Sequence, residues 1–203
     1  EVRPAVTVFE GGNFNGRRWT FKEGYHYSSQ WGRTEKQIRN DTISSYIVGA
    51  GVKVNFCSDR PGIGICKTVQ GDTKGVLPSN INDRISYIEV TDGVTLYDKA
   101  WYKGAKSTLT PGTYKANQLG IGNDTLSSLI AAPGIKVTVC SDRPGIGICR
   151  ELRGAVWFLG MGLNNRASTV IVEREIGVKL YETKGFGGIP SILTAGTYQA
   201  DQL

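Results

Sequence analysis

The sequence predicts an all-β protein, and three observations support that prediction. The 203 residues include 27 glycines, and glycine, asparagine, aspartate, serine and proline interrupt the chain about every eight to twelve residues, as turns between short strands do. Short runs rich in β-branched residues alternate in hydrophobicity with the period of two that a half-buried strand requires. No stretch has the capping residues and length of an ordinary helix.

Five β-branched runs are predicted to be strands. They cover residues 6–9, 52–56, 94–97, 135–139 and 178–181. A turn and a second short run follow each of them, such as RRWTF at 17–21 or KSTLT at 106–110, so each pair is predicted to form a hairpin. The segments NDTISSYIV and NDTLSSLI place polar turn residues directly before another strand, and TYKANQLG is predicted to form one helical turn at most.

The chain contains a duplicated unit of 83 residues. The decapeptide CSDRPGIGIC begins at Cys57 and recurs unchanged at Cys140, and these two copies hold all four cysteines. Each unit also carries two related Asn-rich loops, which lie at residues 40–45, 82–86, 123–128 and 164–168. Self-similarity at a fixed period indicates a repeated structural unit.

A further, incomplete repeat is predicted at the C-terminal end. The segment from Leu96 to Leu119 has a related copy from Leu180 to Leu203, and the next Asn-rich loop would be due just beyond it. We therefore expect the last residues to be the opening part of another unit in a truncated chain. The sequence begins at Glu1 without a visible signal peptide, which is what a mature or excised form would show.

Charge and hydropathy narrow the possible partners. The 24 basic and 18 acidic residues give a formal charge of +6, but the basic residues are scattered along the chain. Scattered charge attracts acidic partners only weakly, so no nucleic-acid partner is predicted. No apolar run is long enough to span a membrane, and no membrane insertion is expected.

The sequence does not predict an enzyme. Its single histidine, His26, lies in the aromatic segment GYHYSSQW, where a packing or surface role is expected. No nucleophile and base are placed as a catalytic pair, so no catalytic residue is proposed. The GIGI sequence after proline lacks the Lys-Ser/Thr and helix of a phosphate-binding loop.

An aromatic-x₄-aromatic-x-Gly pattern occurs three times along the chain. Its members are Phe9, Phe14 and Gly16, then Tyr97, Tyr102 and Gly104, then Tyr181, Phe186 and Gly188. Followed by N(D/N)xxSS loops, the pattern resembles the βγ-crystallin superfamily, and most closely its microbial calcium-binding members. The resemblance implies tandem domains in which two Greek-key motifs form a double-sheet wedge. The expected boundaries are residues 1–91 and 92–175, with a partial first Greek key at 176–203.

The resemblance also suggests a role for the cysteines. In the second key of each unit, the positions of the aromatic pair and glycine are occupied by Cys57, Gly62 and Gly64, and by Cys140, Gly145 and Gly147. Disulfides from Cys57 to Cys66 and from Cys140 to Cys149 would replace the lost aromatic packing, which implies an oxidising compartment and hence secretion or the cell surface. Four reduced core thiols are the alternative, and zinc is disfavoured because no further Cys or His lies nearby.

Calcium binding is the function that the resemblance implies, with two sites per domain. Carried over by position, the ligands of the first domain are Asn40, Asp41, Thr42, Ser44, Asn82, Asp83, Arg84 and Ser86, with hairpin carbonyls near Glu10 and Ser58. Those of the second domain are Asn123, Asp124, Thr125, Ser127, Asn164, Asn165, Arg166 and Ser168, with carbonyls near Asp98 and Ser141. Thr42, Arg84, Thr125 and Arg166 would act through main-chain oxygens.

Calcium and further modules of a longer chain are the expected partners. Because Asn165 replaces a carboxylate, we expect the second domain to bind calcium more weakly. The alternative for all four loops is ordinary turn chemistry, in which Asx and Ser side chains bond neighbouring amides without any metal.

Two other functions stay open at this stage. A secreted peptidase inhibitor or antimicrobial protein would present Arg60 or Arg143, each followed by proline, on a disulfide-closed loop. A carbohydrate-binding protein would use exposed tryptophans, for which Trp19, Trp31, Trp101 and Trp157 are candidates, although core positions are the more usual expectation for this residue.

Overall fold

The computed structural model describes residues 5–31, 39–60, 62–144, 146–175, 177–180 and 191–194. Contacts divide the chain into two compact units, Glu1–Glu173 and Arg174–Leu203. The regular secondary structure of the described part is strands and two single-turn 3₁₀ helices, Ser28–Gln30 and Ala116–Gln118. Neither of these helices is long or apolar enough to cross a bilayer.

The first eight strands form what we call the N-terminal lobe. They are β1 (Val6–Phe9), β2 (Arg18–Phe21), β3 (Gly24–Tyr27), β4 (Ser45–Val48), β5 (Val52–Cys57), β6 (Cys66–Gln70), β7 (Thr73–Val76) and β8 (Tyr87–Asp92). Two antiparallel sheets result, in the orders β2-β1-β4-β7 and β3-β8-β5-β6. Strand β3 comes early in the chain but pairs in the sheet of β5, β6 and β8. Strand β7 comes late but pairs in the sheet of β1, β2 and β4. This exchange is the Greek-key arrangement that the family resemblance implies.

The C-terminal lobe repeats this topology. Its strands are β9 (Val94–Lys99), β10 (Lys103–Leu109), β11 (Gly112–Lys115), β12 (Ser128–Ala131), β13 (Ile135–Cys140), β14 (Cys149–Arg153), β15 (Ala155–Val156) and β16 (Thr169–Arg174). The sheet orders are β10-β9-β12-β15 and β11-β16-β13-β14. The predicted all-β, tandem Greek-key fold is therefore confirmed, while the predicted domain boundaries stay a prediction.

The second compact unit contains one described hairpin. Strand β17 (Gly177–Leu180) pairs antiparallel with β18 (Ser191–Thr194). The third aromatic pattern, at Tyr181, Phe186 and Gly188, lies outside the described residues.

Each lobe has its own hydrophobic core between its two sheets. Alternation along the strands produces it, as in β5, where Val52, Val54 and Phe56 point inward and are fully buried. The N-terminal core also holds Ile43, Ile81, Ile85 and Ile88. The C-terminal core holds Leu96, Leu126, Leu129, Leu159 and Leu163 among others.

The aromatic patterns form folded hairpins at the start of each lobe. The rings of Phe9 and Phe14 meet edge to face with centroids 6.0 Å apart, and those of Tyr97 and Tyr102 do so at 5.9 Å. Gly16 turns the chain with a φ of 80°, in the left-handed region that glycine enters without steric cost. Burial raises the pKa of the Tyr97 hydroxyl, with the Asp72 carboxylate as a further cause.

The repeated decapeptide forms a disulfide-closed hairpin in each lobe. Cys57 lies opposite Cys66 in the strand register and is bonded to it, and Cys140 is bonded to Cys149 in the same way. Both predicted disulfides are thus confirmed, and none of the four cysteines is free. Glycine is required at position 64 because a Cβ there would lie 2.4 Å from the Asp59 nitrogen.

The two lobes share a buried contact built on two threonines of the C-terminal lobe. Thr95 accepts a hydrogen bond from the Gly51 amide at 2.9 Å, and Thr108 accepts one from the Gly71 amide at 3.0 Å. The two hydroxyls are also 3.0 Å apart. Neither residue is exposed, so both glycine amides depend on these hydroxyls in a place that water does not reach.

Asp72 adds a polar contact at the edge of the same interface. Its carboxylate accepts a hydrogen bond from the Tyr97 hydroxyl at 3.2 Å, and Lys106 contacts both its carboxylate and its carbonyl oxygen. The Gly71–Asp72 turn separates β6 from β7, whereas in the C-terminal lobe Gly154 alone separates β14 from β15. The turn is therefore a feature of the N-terminal lobe and not of the shared fold.

Candidate metal centre

The second residue of each Asn-rich loop has the same unusual backbone conformation. Asp41, Asp83, Asp124 and Asn165 have φ angles of 57°, 54°, 51° and 54°. Aspartate and asparagine tolerate this left-handed region better than other residues with a side chain. The preceding asparagine donates to the carboxylate in three loops, as Asn40 does to Asp41 at 2.7 Å. The four loops are thus built alike, as their sequences predict.

In the N-terminal lobe the two loops exchange side-chain contacts. Ser44 of the first loop donates to Asp83 of the second at 2.9 Å. Ser86 of the second loop lies 3.3 Å from the Asn40 amide oxygen and 3.4 Å from the Asp41 carboxylate. The backbone joins the loops as well, because the Asp83 amide donates to the Ile43 carbonyl. The predicted residues therefore form two neighbouring clusters, each with oxygen atoms from both keys.

The C-terminal lobe shows the corresponding cluster with a neutral residue in place of aspartate. The Ser127 hydroxyl is 3.0 Å from the Asn165 amide oxygen, close to the geometry of Ser44 and Asp83. The same hydroxyl is 3.0 Å from the Asp98 carbonyl, which belongs to the folded hairpin. This places the loop serine next to the hairpin carbonyl that the sequence predicted as a ligand.

The remaining predicted residues lie around these clusters. Thr42 and Thr125 donate to carbonyls of their own loops, at Arg39 and Ile121 respectively. The Arg84 and Arg166 amides close turns onto Ile81 and Leu163, and the Ser86 and Ser168 amides donate to Cys57 and Cys140. The hydroxyls of Ser58 and Ser141 accept hydrogen bonds inside their disulfide hairpins, from Ile65 and Ile148.

One pair of functional serines was absent from the predicted set. Ser45 and Ser128, the sixth residues of their loops, are fully buried. Ser45 donates to the Gly11 carbonyl at 2.6 Å and accepts from the Phe14 amide, and Ser128 makes the matching contacts with Lys99 and Tyr102. They fix the folded hairpin against the loop. The doubled serine in both loop sequences was the signal that could have identified them.

The donor atoms suit a hard cation. Carboxylate, amide, hydroxyl and carbonyl oxygens are the ligands that calcium prefers, and each cluster supplies several of these types. Within the described ranges, no three His, Cys, Asp or Glu side chains come together as a metal site, so a bound ion would need mixed ligands. Asp98 Oδ1 and Asn164 Oδ1 are buried without a hydrogen-bond partner, which fits oxygen atoms that bind a cation.

A cavity of about 440 Å³ opens beside the Ser44–Asp83 cluster. It is lined by three acidic residues, two basic residues and one threonine, namely Glu10, Asp41, Asp83, Arg17, Arg39 and Thr42. The two arginines were not predicted as part of the site, because nothing in the sequence distinguishes them from the other scattered basic residues. The weaker calcium binding expected for the second domain was inferred from the number of carboxylates alone, and it stays a prediction.

The disulfide hairpins do not present their arginines in an extended, substrate-like form. The Arg60 carbonyl accepts hydrogen bonds from the Ile63 and Gly64 amides, and the Arg60 amide donates to the Asp59 carboxylate. The Arg143 carbonyl is engaged in the same way by Ile146 and Gly147. Both arginines therefore lie in closed turns, which agrees with a structural role for the Arg-Pro-Gly sequence.

His26 and the tryptophans complete the set of candidates. His26 packs on Phe21 and bonds to the Lys22 carbonyl, as expected for a packing residue. Trp31 is buried in the core, but Trp19, Trp101 and Trp157 are exposed, so the expectation of core positions was wrong for three of the four. Trp101 is 61% and Trp157 49% exposed, and their rings stack with centroids 4.3 Å apart.

Paired Greek keys with facing Asn-Asp loops define a class of small β-domains whose loops carry several oxygen donors. Solved structures of that class resemble this chain. The N-terminal domain of protein S is 30% identical, over 40% of this chain and 96% of its own length, with a TM-score of 0.38. A double mutant of a βγ-crystallin domain from Clostridium beijerinckii is 32% identical, over 40% and 97%, with the same TM-score. A clostrillin double mutant in complex with nickel is 29% identical, over 40% and 98%, again at 0.38.

Neither the protein-family models nor the curated protein sequences yield a match. The sequence identity of 30% or more, over nearly the full length of a solved domain, is sufficient to assign the family. The chain belongs to the βγ-crystallin family, and the resemblance drawn from its motifs is confirmed.

Proposed function

We propose that this chain is a calcium-binding structural module, stabilised by two calcium ions in each lobe. The contacts between facing loops support the proposal most directly, because Ser44 meets Asp83, Ser86 meets Asp41, and Ser127 meets Asn165. Each contact brings together a hydroxyl and a carboxylate or amide oxygen from different keys. A calcium ion between them would tie the keys together and so stabilise the folded lobe.

The choice of calcium rests on the donor atoms of this chain. The clostrillin double mutant in complex with nickel carries two serine-to-histidine substitutions, so that complex does not identify the metal that unsubstituted loops bind. Nickel favours imidazole nitrogen, and this chain has one histidine, His26, which lies against Phe21. The loops offer oxygen atoms alone, so a hard cation such as calcium is the better fit.

We place the module in a secreted or surface protein. Its disulfides support this location, because such bonds persist in oxidising compartments. Of the alternatives, a secreted inhibitor of trypsin-like peptidases is poorly supported, because Arg60 and Arg143 lie in closed turns. Carbohydrate binding has one observation in its favour, the exposed Trp101–Trp157 pair, and a glycan array would test it.

Calcium addition to chelator-stripped protein should release heat at about four sites and raise the melting temperature. A ligand that binds only the folded state adds about 2.7 kcal/mol per site at a free concentration of 100 Kd. Titration calorimetry gives the stoichiometry, and thermal melts with and without chelator give the stabilisation. Absence of heat together with an unchanged melting temperature would show that the loops are turns without a metal role.

The Asn165→Asp variant should bind calcium more tightly in the C-terminal lobe. The added carboxylate replaces an amide at the position where Asp83 lies in the other lobe. One more negative charge about 4 Å from a divalent ion is worth roughly 2 kcal/mol in a water-like dielectric, or up to about thirtyfold in affinity. Asn117→Asp, at an exposed position outside the loops, is the charge-matched control. Equal calorimetric affinities for both variants would contradict the assignment of Asn165.

A further inference from the structure

We propose that the cavity of the N-terminal lobe binds a phosphate group together with its calcium ion, an inference that rests on the proposed calcium function. Glu10, Asp41 and Asp83 line this cavity together with Arg17 and Arg39. In the proposed arrangement, loop oxygens of mixed type would hold the cation and the two guanidinium groups would hold the phosphate. The ligand class is a phosphate monoester, free or carried by a lipid headgroup.

The first step in the argument is that the two arginines are not needed by the fold. Arg17 follows Gly16 in the folded hairpin. Ala105 follows Gly104 at the matching place in the other lobe. Arg39 precedes the first Asn-Asp loop, where the other lobe has Gly122. The C-terminal lobe folds in the same topology with alanine and glycine at these positions.

The second step is that the carboxylates around the arginines form no ion pair with them in the described part of the chain. Asp83 accepts hydrogen bonds from Ser44 and Asn82, and Glu10 lies 3.5 Å from the Thr42 hydroxyl. Among the residues that the structure describes, the ion pairs involve other side chains, and none joins Arg17 or Arg39 to an acid. Arg17 Nη1 is buried and has no hydrogen-bond partner there. A buried guanidinium nitrogen in that state is costly unless a ligand satisfies it.

The third step is charge. Three carboxylates and two guanidinium groups give the cavity lining a formal charge of −1, which a bound calcium ion would change to +1. An anion would then be attracted where two guanidinium groups already lie. Guanidinium forks match phosphate oxygens in shape and charge, and phosphate oxygen is also a hard ligand for calcium. A single phosphate can therefore satisfy both sides of the cavity.

The test is the coupling between calcium and phenyl phosphate, a monoester that avoids precipitation of calcium phosphate. Its affinity is measured by calorimetry in chelator and again at saturating calcium. We expect binding at least fivefold tighter in calcium, and by reciprocity the same factor for calcium in the presence of phenyl phosphate. The Arg17→Ala/Arg39→Gly variant, which takes the residues of the other lobe, should keep calcium binding and lose the coupling. Arg60→Ala/Arg143→Ala removes two exposed arginines and should leave the coupling unchanged.

Each outcome decides the proposal. Calcium heat without phosphate coupling would overturn it while leaving the calcium function intact. The phosphate proposal is also overturned if the native chain shows no coupling and Arg17→Ala/Arg39→Gly binds calcium more tightly. The arginines would then be cations that compete with calcium. Absence of calcium binding would overturn both. If coupling is found, calcium-dependent retention on phosphatidylcholine vesicles containing phosphatidic acid, but not on phosphatidylcholine alone, identifies a lipid source, and no retention identifies a soluble phosphate.

Discussion

The Thr95→Val/Thr108→Val variant should lose about 2–6 kcal/mol of unfolding free energy. Valine has the shape of threonine but cannot accept a hydrogen bond, so the Gly51 and Gly71 amides would be left buried and unpaired. Each buried donor without a partner costs about 1–3 kcal/mol. Urea unfolding followed by tryptophan fluorescence measures the loss, and a split into two transitions would show that the lobes have become independent.

The duplication supplies a matched control for this experiment. Thr7 and Thr20 occupy the same strand positions in the N-terminal lobe, and their hydroxyls are also 3.0 Å apart, but this pair is not buried. Thr7→Val/Thr20→Val should change stability by less than about 0.5 kcal/mol per site, as surface substitutions usually do. If the two double variants lost equal free energy, the buried contact between the lobes would not be what stabilises the chain.

Removing one disulfide with Cys57→Ala/Cys66→Ala should cost about 2.7 kcal/mol. The bond closes a loop of about ten residues, and the chain-entropy relation for that length gives this value. For a chain of this size the melting temperature should fall by roughly 5–10 °C. Differential scanning calorimetry under non-reducing conditions measures the change.

The second decapeptide makes this prediction stricter. Because Cys140 and Cys149 close a loop of identical sequence and length, Cys140→Ala/Cys149→Ala should lower stability by a similar amount. Excess reductant should remove both contributions from the native chain and have little further effect on a variant lacking all four cysteines. Equal melting temperatures with and without reductant would show that the bonds add nothing to stability.

The fold could be predicted from the sequence because local signals agree with one another. Alternating β-branched runs gave β1, β5, β9 and β13 within two residues of their observed ends, and glycine at position 16 marked a turn that needs a positive φ. The disulfides followed from the repeat, since cysteine replaces the first aromatic residue of each second hairpin. Each of these features depends on neighbours close in the chain.

The features that escaped prediction depend on residues that are distant in the sequence. Arg17 and Arg39 lie far apart in the sequence and line the same cavity only in the folded lobe. The stacked Trp101 and Trp157 are 56 positions apart, and Trp101 has a positive φ that is unusual for a bulky residue. Thr95 and Thr108 look like ordinary strand threonines until the Gly71 turn packs against them. Composition and spacing contain no information about such approaches.

The position of the cysteines has a consequence for how the chain acquires its disulfides. Four cysteines allow three pairings, and the native one joins partners only nine positions apart, within a single hairpin. Closing a loop of that length takes tens of nanoseconds, far less than bringing Cys57 to Cys140 across the chain. Each lobe can therefore oxidise correctly as soon as its own hairpin forms, and the two halves need not wait for one another or reshuffle bonds between them.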